Sequence, residues 1–126
     1  MTCSQAALLL VLLVSFAGCK QSLENTPLSR LRTQTAAMSD DNLRALTLKY
    51  RQACFEHRQK VQDIQAKISS LPVGRQNAEQ LNTLKKELRR TGHALEALLA
   101  RHRVCIDQLT KRGQDVKDLQ IKSLSE

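Results

Sequence analysis

The chain has 126 residues, and its 20 basic and 12 acidic side chains give it a net charge of +8. It has no tryptophan, one tyrosine and two phenylalanines, which is too few aromatic side chains for the layers of a typical β-sandwich or α/β enzyme. Its leucine-, alanine- and glutamine-rich composition is typical of long helices. A basic balance favours an anionic partner, such as an acidic protein or lipid phosphates, or else a simply solvated helix surface.

An apolar run occupies residues 6–17, with the sequence AALLLVLLVSFA. It is shorter than the roughly 20 helical residues that cross a bilayer, and it has the length of the apolar region of a secretory signal peptide. The run ends in Phe16-Ala17-Gly18-Cys19. Small residues directly before a cysteine resemble the lipobox of bacterial lipoprotein precursors.

This resemblance implies that residues 1–18 are a signal peptide and that Cys19 becomes the lipidated first residue of the mature protein. Diacylglycerol on the thiol and a fatty acid such as palmitate on the new amino group would then anchor the chain stably in a membrane. Lys20 replaces the Asp that retains enteric lipoproteins at the inner membrane, which favours the periplasmic face of the outer membrane. An ordinary signal peptide cut near Ala17 would instead release a secreted soluble protein.

Residues 19–38 form the lipidated N-terminus and a predicted flexible tether. The segment is rich in Ser, Thr and Gln, contains Pro27, and shows no sustained apolar period. These features predict a linker between the lipid and a helical domain at residues 39–126.

The first predicted helix begins at Ser39, a good N-cap, followed by Asp40 and Asp41 at the positive end of the helix dipole. Its apolar positions alternate in steps of three and four, which is a heptad seam. Pro72 and Gly74 predict its end. The seam consists of Leu43, Thr47, Tyr50, Cys54, His57, Val61, Ile64, Ile68 and Leu71.

The second predicted helix begins near Asn77, with Gln80 placed for a capping box. Gly92 is its weak point, because glycine costs a helix interior about 1 kcal/mol, and Gly113 is a natural stop. After Gly113 the chain either continues the helix or frays. The seam consists of Leu81, Leu84, Leu88, Thr91, Leu95, Leu98, His102, Cys105 and Leu109.

Two such helices predict an all-α fold, an antiparallel helical hairpin or small coiled-coil-like bundle. A hairpin of this size has a limited core, so we expect it to need a partner, either another envelope protein or a second copy of itself.

Two mirror-image pairs, Cys54-x-x-His57 and His102-x-x-Cys105, lie on the seams. One antiparallel register would align the two cysteines and also the two histidines. Three interpretations remain open: a Cys54–Cys105 disulfide in an oxidising compartment, a zinc site made by all four side chains, and small side chains that merely fill the seam.

The predicted turn conflicts with that register. A tight turn at residues 72–74 places Cys54 opposite Gly92 and leaves Cys105 about 20 Å away along the axis. A disulfide needs Cα atoms within about 7 Å. The pairing therefore requires a chain break at Thr91-Gly92, with residues 72–91 as a cap, or a bridge between two chains.

Catalysis has little support, because the sequence lacks a Gly-rich phosphate loop, a nucleophile elbow and an HExxH motif. We therefore predict a non-enzymatic, lipid-anchored adaptor of the bacterial envelope, such as an accessory subunit of a secretion, conjugation or pilus assembly, with no cofactor beyond its lipid. One alternative is a periplasmic metal-binding or metal-sensing lipoprotein. A second binds anionic lipid or cell-wall polymer through Lys85, Lys86, Arg89 and Arg90. Nucleic acid is not an expected partner, because aromatic side chains for base stacking are missing.

Overall fold

A computed structural model of the protein describes residues 23–122, and the predicted signal peptide and the predicted lipidation site Cys19 lie outside this range. Three helices make up most of it: α1 (Leu28–Ala37), α2 (Asp40–Ser70) and α3 (Ala78–Lys111). Short 3₁₀ turns occur at Leu23–Asn25, Arg75–Asn77 and Lys117–Leu119, and residues 23–122 contain no strand. The long helices α2 and α3 pack against each other, so the predicted all-α hairpin is confirmed.

The start of α2 follows the predicted chemistry. The Ser39 hydroxyl accepts a hydrogen bond from the Asn42 amide at 3.3 Å, and Asp40 and Asp41 occupy the first turn. The helix ends at Ser70, two residues before Pro72, because proline disfavours helical geometry in the residue before it.

Helix α3 begins after Asn77, as predicted, but the capping box with Gln80 is wrong. The Asn77 side chain donates instead to the Pro72 carbonyl at 2.9 Å and closes the connecting loop. The helix then runs without interruption through Gly92, so residues 72–91 do not form a separate cap. At its end Gly113 adopts a φ of 73°, and the amides of Gly113 and Gln114 bond back to Thr110 and Leu109 in a Schellman motif.

The flexible tether predicted for residues 19–38 is wrong over Leu28–Ala37, where α1 forms. Leu31 and Thr35 are buried on one face of this helix. The Thr35 hydroxyl donates to the Leu31 carbonyl at 2.8 Å, which lets a polar side chain enter the core without an unsatisfied group. The proline at position 27 precedes the first turn, where its missing amide costs no helical hydrogen bond.

Helix α1 lies parallel to α3 and packs against it. The Thr26 carbonyl accepts from Arg101 at 2.9 Å, and the Thr35 carbonyl accepts from Arg112 at 2.8 Å. From Thr26 to Thr35 the chain advances nine residues, and the arginines that they contact advance eleven residues in the same direction along α3. The two segments therefore run parallel. The residues after Gly113 turn back along α2, and Leu119 among them is buried.

The hairpin therefore has two unlike halves. We call residues 23–56 and 95–122 the base, and residues 57–94 the arm. The hydrophobic core lies wholly in the base, where α1 and the C-terminal segment cover α2 and α3. In the arm only Ile64 and Leu84 are buried, because there the two helices have only each other to pack against. The core consists of Leu31, Leu43, Tyr50, Cys54, Leu98, Val104, Cys105, Leu109 and Leu119.

Candidate functional site

The two cysteines share the core of the base, but both thiols are free. The register explains why they do not pair. Asp40 bonds to Arg112, and seven residues further along α2 Thr47 is the hydrogen-bond partner of Cys105. One further heptad aligns Cys54 with Leu98. Cys54 therefore lies seven positions beyond Thr47, the residue opposite Cys105, or about 10 Å along the axis of α2.

The predicted Cys54–Cys105 disulfide is therefore wrong in this fold. An offset of about 10 Å exceeds the separation that a disulfide bridges. Neither rescue route is available. Helix α3 is continuous through Gly92, and both thiols are at most 2% exposed, which leaves them out of reach of a second chain.

The four-residue zinc site is not assembled either. The two histidines bond to different backbone carbonyls: His57 Nδ1 lies 2.9 Å from the Ala53 oxygen, and His102 Nε2 lies 2.8 Å from the Leu119 oxygen. Within residues 23–122, no group of three or more His, Cys, Asp or Glu side chains is arranged to hold a metal ion.

Burial dominates the protonation chemistry of the core. It raises the pKa of both Cys54 and Cys105 to about 11, against the smaller lowering effects of Arg58 and of a hydrogen bond with Thr47, respectively. It raises the pKa of Tyr50, and it lowers the pKa of His102 because the charged imidazolium is poorly solvated there. All four groups are held in their neutral forms near pH 7.

The C-terminal segment is held by a row of arginines on α2. Arg44, Arg51 and Arg58 are spaced by seven residues and share one helix face. They donate to the backbone carbonyls of Asp115, Gln120 and Lys122 at 2.8, 3.2 and 2.8 Å, respectively.

Arg44 adds an ion pair of 3.0 Å with the Asp118 carboxylate. Sequence analysis missed this row, although its heptad spacing was a signal that one face of α2 is basic. The row uses arginine to close the base, so these side chains are structural cations.

The arm is basic, with a net charge of +5 when both histidines are neutral. It contains eight basic and three acidic residues, and seven of the eight basic side chains make no hydrogen bond or ion pair within residues 23–122, Arg58 being the exception. The predicted anion-binding residues Lys85, Lys86, Arg89 and Arg90 are all exposed on the arm portion of α3. The structure thus places these four side chains together and without partners in the described chain.

The end of the arm is apolar, a feature that sequence analysis did not single out. A shallow groove of about 610 Å³ lies between the ends of α2 and α3. Val73 at its edge is fully exposed, and Arg75 and Lys85 border the groove. We call this feature the tip; its apolar lining comes from Ile68, Leu71, Pro72, Val73, Ala78 and Leu81.

None of the helices in the described part of the chain is long and apolar enough to span a bilayer. No family model matches the sequence, and comparisons with curated proteins and with solved structures find no significant similarity.

Proposed function

We propose that the protein is a lipid-anchored, non-enzymatic interaction module of the bacterial cell envelope. In this proposal Cys19 carries the lipid, the base is a closed structural unit, and the arm engages a partner. A second candidate, a binder of anionic lipid or cell-wall polymer, is favoured by the unpaired basic side chains on the arm.

The main support for the proposal is that helix α1 and the C-terminal segment cover the base and leave most of the arm uncovered. The core that helix α1 and the C-terminal segment complete lies only in the base, and the C-terminal segment reaches the arm at Arg58, beside the boundary. The arm extends beyond that cover for about 25 Å, at 1.5 Å per residue over the 17 residues 78–94 of α3. A protruding basic arm with an apolar tip is a surface that fits a binding role better than a stabilising one.

Photocrosslinking in intact cells tests the role of the arm. A photoreactive amino acid replaces Val73 at the tip or, as the matched control, the exposed Lys49 of the base. We expect a discrete adduct, with protein or lipid, from position 73 in at least severalfold greater yield than from position 49. Equal yields at the two positions would contradict the proposal.

The anchor is tested separately by Cys19→Ser. This variant loses the only thiol placed to accept diacylglycerol, so incorporation of a labelled fatty acid should disappear and an unprocessed or soluble form should accumulate. A Cys3→Ser variant is the control and should label normally. Unchanged labelling of the Cys19 variant would overturn the lipid anchor.

A further inference from the structure

The direction of α1 determines the side from which the chain enters the folded domain. Thr26 lies beside Arg101 and Thr35 beside Arg112, so α1 runs away from the arm and towards the closed end of the base. Read backwards towards Cys19, the chain therefore approaches the side of the molecule on which the arm lies.

The link between the proposed anchor and the domain is short. Only three residues lie between Cys19 and Leu23, which packs against the core, so four residue-to-residue steps join the two. Four extended residues span at most about 14 Å. A lipid on Cys19 would thus hold the domain within about 14 Å of the headgroups, with its arm side nearest to them.

The charge of the arm is complementary to such a surface. Its net charge is +5 with both histidines neutral, and a leaflet rich in anionic phospholipid attracts basic segments within about a Debye length, some 8–10 Å at moderate ionic strength. Most basic side chains in the arm have no partner in the described chain, so binding phosphate breaks no existing ion pair.

The tip adds an apolar contribution. Val73, Leu71 and Pro72 project an uncharged end between Arg75 and Lys85. Apolar residues flanked by cations are typical of segments that enter the headgroup layer without crossing the membrane.

We propose that the arm docks on the anionic phospholipid surface of the membrane that carries the anchor. Its basic side chains contact lipid phosphates, and the tip enters the headgroup layer. This inference rests on the proposed lipid anchor. A lipid surface is favoured over an acidic protein because the short link keeps that surface permanently within reach, which gives it a high effective concentration.

A fluorescent probe at the tip tests the inference on the purified lipidated protein. A Val73→Cys variant places an exposed thiol at the tip, while the buried Cys54 and Cys105 remain unlabelled. The protein is mixed with vesicles of phosphatidylcholine alone or with about 30% phosphatidylglycerol, which gives the second set a negative surface potential. We expect a blue shift and protection from acrylamide only on the anionic vesicles, and no change for a Lys111→Cys probe at the far end of the base.

Matched charge variants separate the arm from net charge. The arm variant replaces Lys85, Lys86, Arg89 and Arg90 by Gln, and the base variant replaces the equally exposed Arg30, Lys49, Lys111 and Lys117 by Gln. Each basic residue near an anionic surface contributes about fivefold, so the arm variant should lower the docked-to-undocked ratio on the order of several hundredfold. The base variant should change it little, and circular dichroism confirms that both variants are helical.

Co-sedimentation distinguishes the two ways of failing. Protein that sediments with anionic vesicles while its Val73 probe stays quenchable overturns the docked arm and leaves the anchor standing. Equal protection on neutral vesicles, or an equal loss in the base variant, also overturns it. Protein that does not sediment with either vesicle overturns the anchor itself and this inference with it.

Discussion

The thiols of Cys54 and Cys105 are buried in the core of the base. Burial raises the pKa of each to about 11, so at pH 8 roughly one thiol in a thousand would be ionised even if reagent could reach it. We expect native protein to resist alkylation by iodoacetamide at pH 8, while the added thiol of a Val73→Cys variant reacts at least 100-fold faster. Mass spectrometry after timed quenching measures both rates. Equal rates, or a disulfide in the unreduced protein, would refute this account.

His102 makes stability depend on pH. Its pKa is lowered in the folded protein, chiefly by burial, so below the unfolded value of about 6.5 the unfolded chain binds the proton more tightly. Stability from the neutral His102 is therefore fully present above pH 6.5 and is lost as the pH falls through the lower, folded pKa.

Urea denaturation at pH 7.5 and pH 5.5 measures this dependence. We expect the free energy of unfolding of the native protein to fall between the two values, and a His102→Gln variant to show a clearly smaller fall, because glutamine cannot take up the proton. The exposed His93→Gln is the control and should keep the native dependence. If the His102 variant also keeps it, the protonation of another group is responsible.

At the level of elements, heptad spacing predicted the two long helices because each has a long, regular seam. The ends were predictable where a single residue decides them, as at Ser39 and Gly113. Helix α1 escaped prediction because its ten residues bury only Leu31 and Thr35, and a threonine does not register as an apolar position. Its buried hydroxyl bonds to the helix's own backbone, which a pattern of apolar residues cannot reveal.

The Cys and His side chains illustrate a second feature that the sequence could not predict, the register between the two long helices. Their mirror-image spacing suggested one shared register, although the predicted turn did not fit it. A register depends on the length of the connecting loop and on packing throughout the base. The contacts of Arg112 with Asp40 and of Cys105 with Thr47 fix a different one. None of these contacts is encoded locally, so spacing alone could not choose between the alternatives.

Gly92, within α3, and Gly113, just after its end, should respond oppositely to alanine. Gly92 lies within the helix, and an added Cβ would meet nothing within 4 Å, so Gly92→Ala should stabilise the protein by about 0.5–1 kcal/mol through helix propensity. Gly113 has a φ of 73°, where a Cβ is strained, so Gly113→Ala should destabilise it by about 1 kcal/mol. Urea denaturation measures both changes, and changes of the same sign would contradict the assigned roles.

On the scale of the whole molecule, the sequence did not predict that one half of the hairpin, the base, is covered and the other half, the arm, is not. Both helices carry seams of uniform regularity from end to end, so the pattern predicts a hairpin of uniform stability. The difference arises because α1 and the segment around Leu119 cover only one half. Neither of these coverings was expected, and without them the arm could not be distinguished from the base.

This difference predicts a gradient of stability along the hairpin. Amide hydrogen exchange should show the arm opening at a free energy well below that of global unfolding, because the arm buries few apolar side chains. Amides in the base portions of α2 and α3 should exchange only by global unfolding. The slowest amides are expected near Leu98 and Leu109, both of which are fully buried.

A matched pair of leucine variants tests whether the arm opens separately from the base. Leu98→Ala opens a cavity in the core of the base and should lower the global free energy of unfolding by about 2–5 kcal/mol, which accelerates exchange of the base amides. The arm amides exchange through a local opening in which Leu98 stays packed, so their exchange should be nearly unchanged. Leu84→Ala removes one of the two buried side chains of the arm. Leu84 is unpacked both when the arm opens and when the whole chain unfolds, so this variant should accelerate exchange in residues 78–94 and also in the base. If instead Leu98→Ala accelerates the arm amides as much as the base amides, the hairpin unfolds as one cooperative unit. The arm would then be as firmly held as the base.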